Sequence, residues 1–157
     1  MFKRGESYIL FEDDIKKVFP VFLKLLSNEK KGMVIWRVHP SKQDEFFSNS
    51  RVKTKWITNI NSKEEHLTPH ELEQLSYDIE QFMKQNHDGT VLLLGVEYLI
   101  SFNSFQDILH LIQTIKDFTS EYGCIFIVHV SIGTLDHQQE RLLLQELVFA
   151  GESHGQN

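Results

Sequence analysis

Cysteine occurs once, at Cys124, in the 157 residues. No intrachain disulfide and no cysteine metal cluster can therefore form. Proline is scarce, with 3 residues, and the 8 glycines are scattered, which excludes a Pro/Gly-rich linker or a low-complexity tract. No stretch approaches the roughly 20 apolar residues of a membrane span. The opening MFKRGESYILFEDD is interrupted too soon by acids to be expected to act as a secretory leader. An excess of basic charge is also lacking. The formal net charge of −6 gives no global attraction to nucleic acid or acidic membranes. Neither is expected as a partner, and a cytoplasmic location is expected.

What is present is an ordinary globular composition, 41% hydrophobic and 24% charged, with elements that alternate in type. SYILFE (7–12) reads as a strand, and residues 14–27 place Ile15, Val18, Phe19, Phe22, Leu23 and Leu26 at helical spacing. Pro20 falls inside that helix and is expected to kink or restart it. GMVIWRV (32–38) is a second strand, and residues 41–47 are one short helix. VKTKWIT (52–58) is a more polar strand whose alternating Arg51, Lys53 and Lys55 are expected to face water at a sheet edge. Thr68-Pro69-His70-Glu71 carries the signals of a helix start, for a helix over 69–86. TVLLLGV (90–96) and CIFIVHV (124–130) are apolar at successive positions, so both faces of each need cover and both are expected inside the sheet. Between them a helix over 104–122 is capped by Asn103 or Ser104 and ended by Gly123; Asp136 with Gln139 then opens a last helix packed by Leu142, Leu143, Leu147 and Val148. The expected fold is a three-layer α/β domain over 1–150. It has a mainly parallel sheet of about five strands with helices on both faces. Residues 151–157 are expected to be a disordered tail.

The order of SYILFE, GMVIWRVHP, KWIT, LLLGVEYLISFNSF and VSIGTLDHQQERLLLQEL resembles an archaeal family, domain of unknown function 835 (DUF835). Its central segment commonly reads like LLDGLEYLI followed by N-x-F. Gly95, Glu97, Tyr98, Leu99, Ile100, Asn103 and Phe105 match it, and the resemblance spans nearly the whole chain. The layout is more remotely similar to RecA-like ATPases of the circadian-clock type. The functional residues of those enzymes do not carry over. A phosphate loop needs GxxxxGK with Ser or Thr, whereas Glu12-Asp13-Asp14 stands at the turn, and Leu94 stands where a Walker B acid would be. The resemblance thus implies a RecA-like shape without its phosphate loop, and no cofactor.

Ligands of parallel α/β sheets bind beyond the carboxyl ends of the strands. Arg37, His39, Glu97 and Tyr98, with His129 and Ser131, leave the strands there. They are the candidate site for an anionic ligand or acid–base chemistry. The plainer reading is an Arg37–Glu97 ion pair and histidines bonded to loop carbonyls. His66 and His70 have a zinc-like spacing, but the helix start between them and the lack of a third ligand argue against a metal. Cys124 reads as a buried inert thiol. Arg51, Lys53 and Lys55 with Trp56 read as a charged edge rather than a nucleic-acid surface. The reading favoured is a non-catalytic interaction or signal-relay module with a protein partner, or a second copy of the chain. A small-ligand sensor and a hydrolase built on the same crevice are the alternatives.

Overall fold

The computed structural model describes residues 2–48 and 51–152. Six strands form one sheet: β1 (Ser7–Phe11), β2 (Gly32–Trp36), β3 (Val52–Trp56), β4 (Thr90–Leu93), β5 (Ile125–Val130) and β6 (Val148–Glu152). Their order is β3-β2-β4-β5-β1-β6, and every neighbouring pair is parallel. The helices are α1 (Ile15–Lys24), α2 (Leu72–Gln85), α3 (Val96–Phe102), α4 (Phe105–Tyr122) and α5 (His137–Glu146), and a 3-10 turn spans Pro40–Glu45. None of the described helices is long and apolar enough to cross a membrane.

The apolar runs behave as their composition requires. Every residue of β4 and β5 is buried, and both strands are interior. Leu93 sits opposite Ile35 on one side and Val128 on the other. Side chains alternate between two layers because strand periodicity is 2. Ile9, Met33, Leu93 and Phe126 face the layer formed by α2, α3, α4 and α5. Tyr8, Val34, Leu92 and Ile127 face the layer of α1. The α1 layer is thin, with a single helix in it, and aromatic side chains complete it. Phe19 and Phe22 of α1 meet Trp36, Phe46 and Phe47, with Phe19–Phe47 centroids 4.9 Å and Phe22–Phe47 centroids 6.0 Å apart. Helix α1 runs through Pro20 without interruption. Pro20 is exposed, on the side where the carbonyl it leaves unbonded can turn to water.

The local cap signals hold in part. Ser104 accepts from the Asp107 amide and opens α4, Gly123 closes it with φ 70°, and Asp136 with Gln139 forms a full capping box on α5. At α2 the start moves. Residues 68–71 form a turn in which the Glu71 carboxylate accepts from the Thr68 amide at 2.9 Å, and the helix begins at Leu72.

Four further expectations are corrected. The strand expected over 90–96 ends at Leu93, and helix α3 begins at Val96, because Gly95 adopts a left-handed φ of 84° and turns the chain at once. Leu147 and Val148 do not extend α5: Val148 begins β6, which pairs with β1 and makes β1 interior. Gly151 and Glu152 therefore belong to the sheet rather than to a tail, and residues 153–157 lie outside the described residues. On β3 the lysines do not simply face water. Lys53 and Lys55 pair in register with Met33 and Ile35, which points them toward the α2 layer. The Lys55 side chain is only 14% exposed and its Nζ lies 3.0 Å from Asp78 of α2.

Candidate functional site at the carboxyl ends of the strands

The first turn beyond the sheet, Glu12-Asp13-Asp14, joins β1 to the amino end of α1. A helix amino terminus presents unpaired amides and partial positive charge, which suits an anion. Here the chain's own carboxylates are bonded to backbone amides, one of them in the first turn of α1. Asp14 Oδ1 accepts from the Lys16 amide at 3.0 Å, Glu12 Oε2 from the Asp14 amide at 3.0 Å, and Asp13 Oδ1 from the Ile132 amide beyond β5 at 2.9 Å. The turn is also stitched to β5, where the Glu12 amide donates to the Val130 carbonyl at 3.0 Å. The buried His129 reaches the Glu12 carbonyl through Nε2. With a carbonyl as partner, Nε2 is the donor.

The four candidate residues lie along the same crest but do not form one cluster. Arg37 leaves β2 exposed, and its guanidinium stacks over the Tyr98 ring at 3.6 Å from the centroid, a cation–π contact. The Tyr98 hydroxyl accepts from the Asn59 amide at 3.0 Å, which fixes the ring. His39 accepts from the Ser41 amide through Nδ1 at 3.0 Å and packs its ring edge on Trp56, centroids 4.7 Å apart. Glu97, in the first turn of α3, is turned the other way. Its Oε2 accepts from the Ser131 amide at 2.7 Å and the Thr134 hydroxyl at 3.0 Å. The expected Arg37–Glu97 ion pair is therefore not formed, because backbone and hydroxyl donors beyond β5 claim the carboxylate first. Sequence reasoning missed that Glu97 is a loop brace and that Asn59 orients Tyr98. No local pattern announces either contact, since their partners lie 34 and 39 residues away in the chain.

The other chemical candidates separate in space. His66 bonds the Glu64 carbonyl through Nδ1, while the His70 ring packs edge-on against Phe102. Among the described residues no three His, Cys, Asp or Glu side chains gather as metal ligands. Cys124 is fully buried, and burial pushes its thiol up to about 11. It is thus a protonated, weakly nucleophilic thiol at neutral pH.

An all-parallel α/β sheet whose first strand–helix turn carries carboxylates bonded to its own amides, in place of a glycine-rich loop, defines an α/β domain without a phosphate loop. The chain's family agrees with that outline. The sequence profile of the DUF835 family, described as "protein of unknown function", matches residues 11–147, and the chain belongs to that family. None of the curated proteins compared with the chain matches it.

Proposed function

We propose that this protein is a non-catalytic interaction or signal-relay module of the cytoplasm of an archaeal cell, with a RecA-like shape that has lost its phosphate loop. One observation carries the reading: at the β1–α1 turn the Asp14 and Lys16 amides are bonded to the Glu12 and Asp14 carboxylates, and Asp13 beside them holds the Ile132 amide beyond β5. A triphosphate arriving there would meet three carboxylates and find those donors taken. Glu97, on which a hydrolytic role would rest, serves Ser131 and Thr134 instead. The feature left facing outward is the Arg37–Tyr98 stack beside His39. Arginine and tyrosine are favoured where protein partners dock, and the Arg37 guanidinium suits a partner carboxylate.

Two measurements test this. Calorimetry with millimolar magnesium ATP or GTP is expected to show no heat of binding. A micromolar affinity lost on changing residues 12–14 would overturn the reading. Affinity capture from the host with wild-type and Arg37→Glu baits is expected to return a protein held by the wild type and lost, by about tenfold or more, with the variant, as for a truncated hot-spot arginine. Identical captures by both baits would remove Arg37 from the contact.

A further inference from the structure

We propose that a small basic pocket at the amino ends of β2 and β3 binds an oxyanion of the size and charge of inorganic phosphate. The pocket lies at the opposite end of the sheet from the crest and uses none of its residues.

The pocket is a cavity of about 270 Å³ between these strand ends and the last turns of α2, and its lining includes Lys31, Arg51, Lys53, Asp78, Gln81 and Gln85. Three cations thus face one carboxylate. That carboxylate is already taken on both oxygens: Asp78 Oδ2 lies 3.0 Å from the Lys55 ammonium, and Oδ1 accepts from the Gln74 amide at 2.9 Å. Lys31 and Lys53 are exposed and form no ion pair among the described residues. Arg51 donates to the Leu26 carbonyl at 2.8 Å, which fixes its guanidinium as a standing positive charge. The pocket therefore has an excess of positive charge that its own lining does not neutralise.

Fold stability does not account for the cluster. Gly32 pairs with Val52 and Met33 with Lys53, which sets Lys31 beside Arg51 on neighbouring strands. Like charges so placed are destabilising. Edge lysines discourage aggregation, but Lys31 stands at the start of β2, an interior strand with no edge to guard. Helix α2 turns its carboxyl end toward the pocket, which by itself disfavours an anion. The carbonyls there are occupied, however. The Asn86 side chain donates to the Phe82 carbonyl at 2.9 Å and the Asn86 amide to the Met83 carbonyl at 3.3 Å. Gln81 and Gln85 add side-chain amides that can donate to an oxyanion. The volume is below the usual range for drug-sized ligands, and two mobile ammonium groups beside a fixed guanidinium match a compact dianion better than a single carboxylate.

Inorganic phosphate is the probe, titrated above neutral pH into the full chain at ionic strength held constant with sodium chloride and followed by amide NMR shifts. Saturating shifts are expected at Gly32, Lys53 and the Gln81 and Gln85 side chains. Lys31→Gln and Lys53→Gln are each expected to weaken binding about tenfold, the loss of one charge-assisted hydrogen bond. Lys63→Gln, an exposed lysine outside the pocket lining, is expected to bind phosphate as the wild type does. Without phosphate, Lys31→Gln is expected to melt no lower than the wild type, since it relieves the repulsion with Arg51; a lysine with a structural role would give the reverse. Three results would overturn the proposal: shifts that do not saturate, equal shifts when chloride replaces phosphate, or wild-type affinity in the Lys31→Gln, Lys53→Gln double variant. A nucleotide at the β1–α1 turn would be lost on changing residues 12–14, and phosphate here on changing Lys31 and Lys53, so this inference and the interaction reading fail separately.

Discussion

Leu93→Asp is expected to abolish folding. Leu93 is fully buried in β4, between Ile35 of β2 and Val128 of β5, and belongs to the larger core cluster. The neighbouring strands use the amides on both sides, and the surrounding cluster among the described residues is apolar, so a carboxylate there has no partner. An unpaired buried charge costs about 3–5 kcal/mol, and the lost leucine packing adds about 2–5 kcal/mol. Together these reach about 5–10 kcal/mol, comparable with the about 5–15 kcal/mol of a typical domain. Lys53→Asp, an exposed change on the edge strand, is the control, with an effect of about 0.5 kcal/mol or less. Soluble expression and thermal melting of the two variants check the expectation. If Leu93→Asp melts with Lys53→Asp, β4 is not the centre of the sheet.

Phe22→Ala is expected to destabilise by about 3–5 kcal/mol, the range for removing a buried phenylalanine. Phe22 is fully buried in α1 and rests on Phe47. Its ring also fills the space above Gly32, where an added Cβ would stand 2.5 Å from Phe22 Cζ. The layer on this face has one helix, so few neighbours can move in to close the cavity. Chemical denaturation measures the loss. A change below about 1 kcal/mol, the scale of a tolerated core swap, would mean that α1 does not seal this face through its aromatic residues.

The candidate site was legible as a location but not as a set of contacts. Arg37, His39, Glu97 and Tyr98 do emerge at the carboxyl ends of strands, since the end of an apolar run marks the end of a strand. Which of them meet was not legible. Arg37 and Glu97 have opposite charges and leave neighbouring strands, yet Arg37 lies on Tyr98 and Glu97 reaches Ser131 and Thr134. An ion pair in water is worth little, so backbone amides held at the right place by the β5 loop decide where the carboxylate goes.

The sequence by itself determined the α/β class, the interior places of β4 and β5, the edge place of β3, the caps of α4 and α5, and the missing phosphate loop. Each of these rests on local chemistry: an unbroken apolar run, a capping side chain, a glycine at positive φ, or an acid where a glycine would have to stand. Only the tertiary structure decided the rest. Val148 reads as the end of a leucine-rich helix, and residues from 151 on as a tail; VFAGE becomes β6 because the free edge of β1 offers hydrogen bonds along its length. Lys55 is drawn against the sheet because α2 carries Asp78 across from it. Helices α2 and α4 share one face, because strand order, not the stripe on either helix, sets the side on which each crossover passes. Periodicity shows that a segment has a partner, and the packed chain alone shows which one.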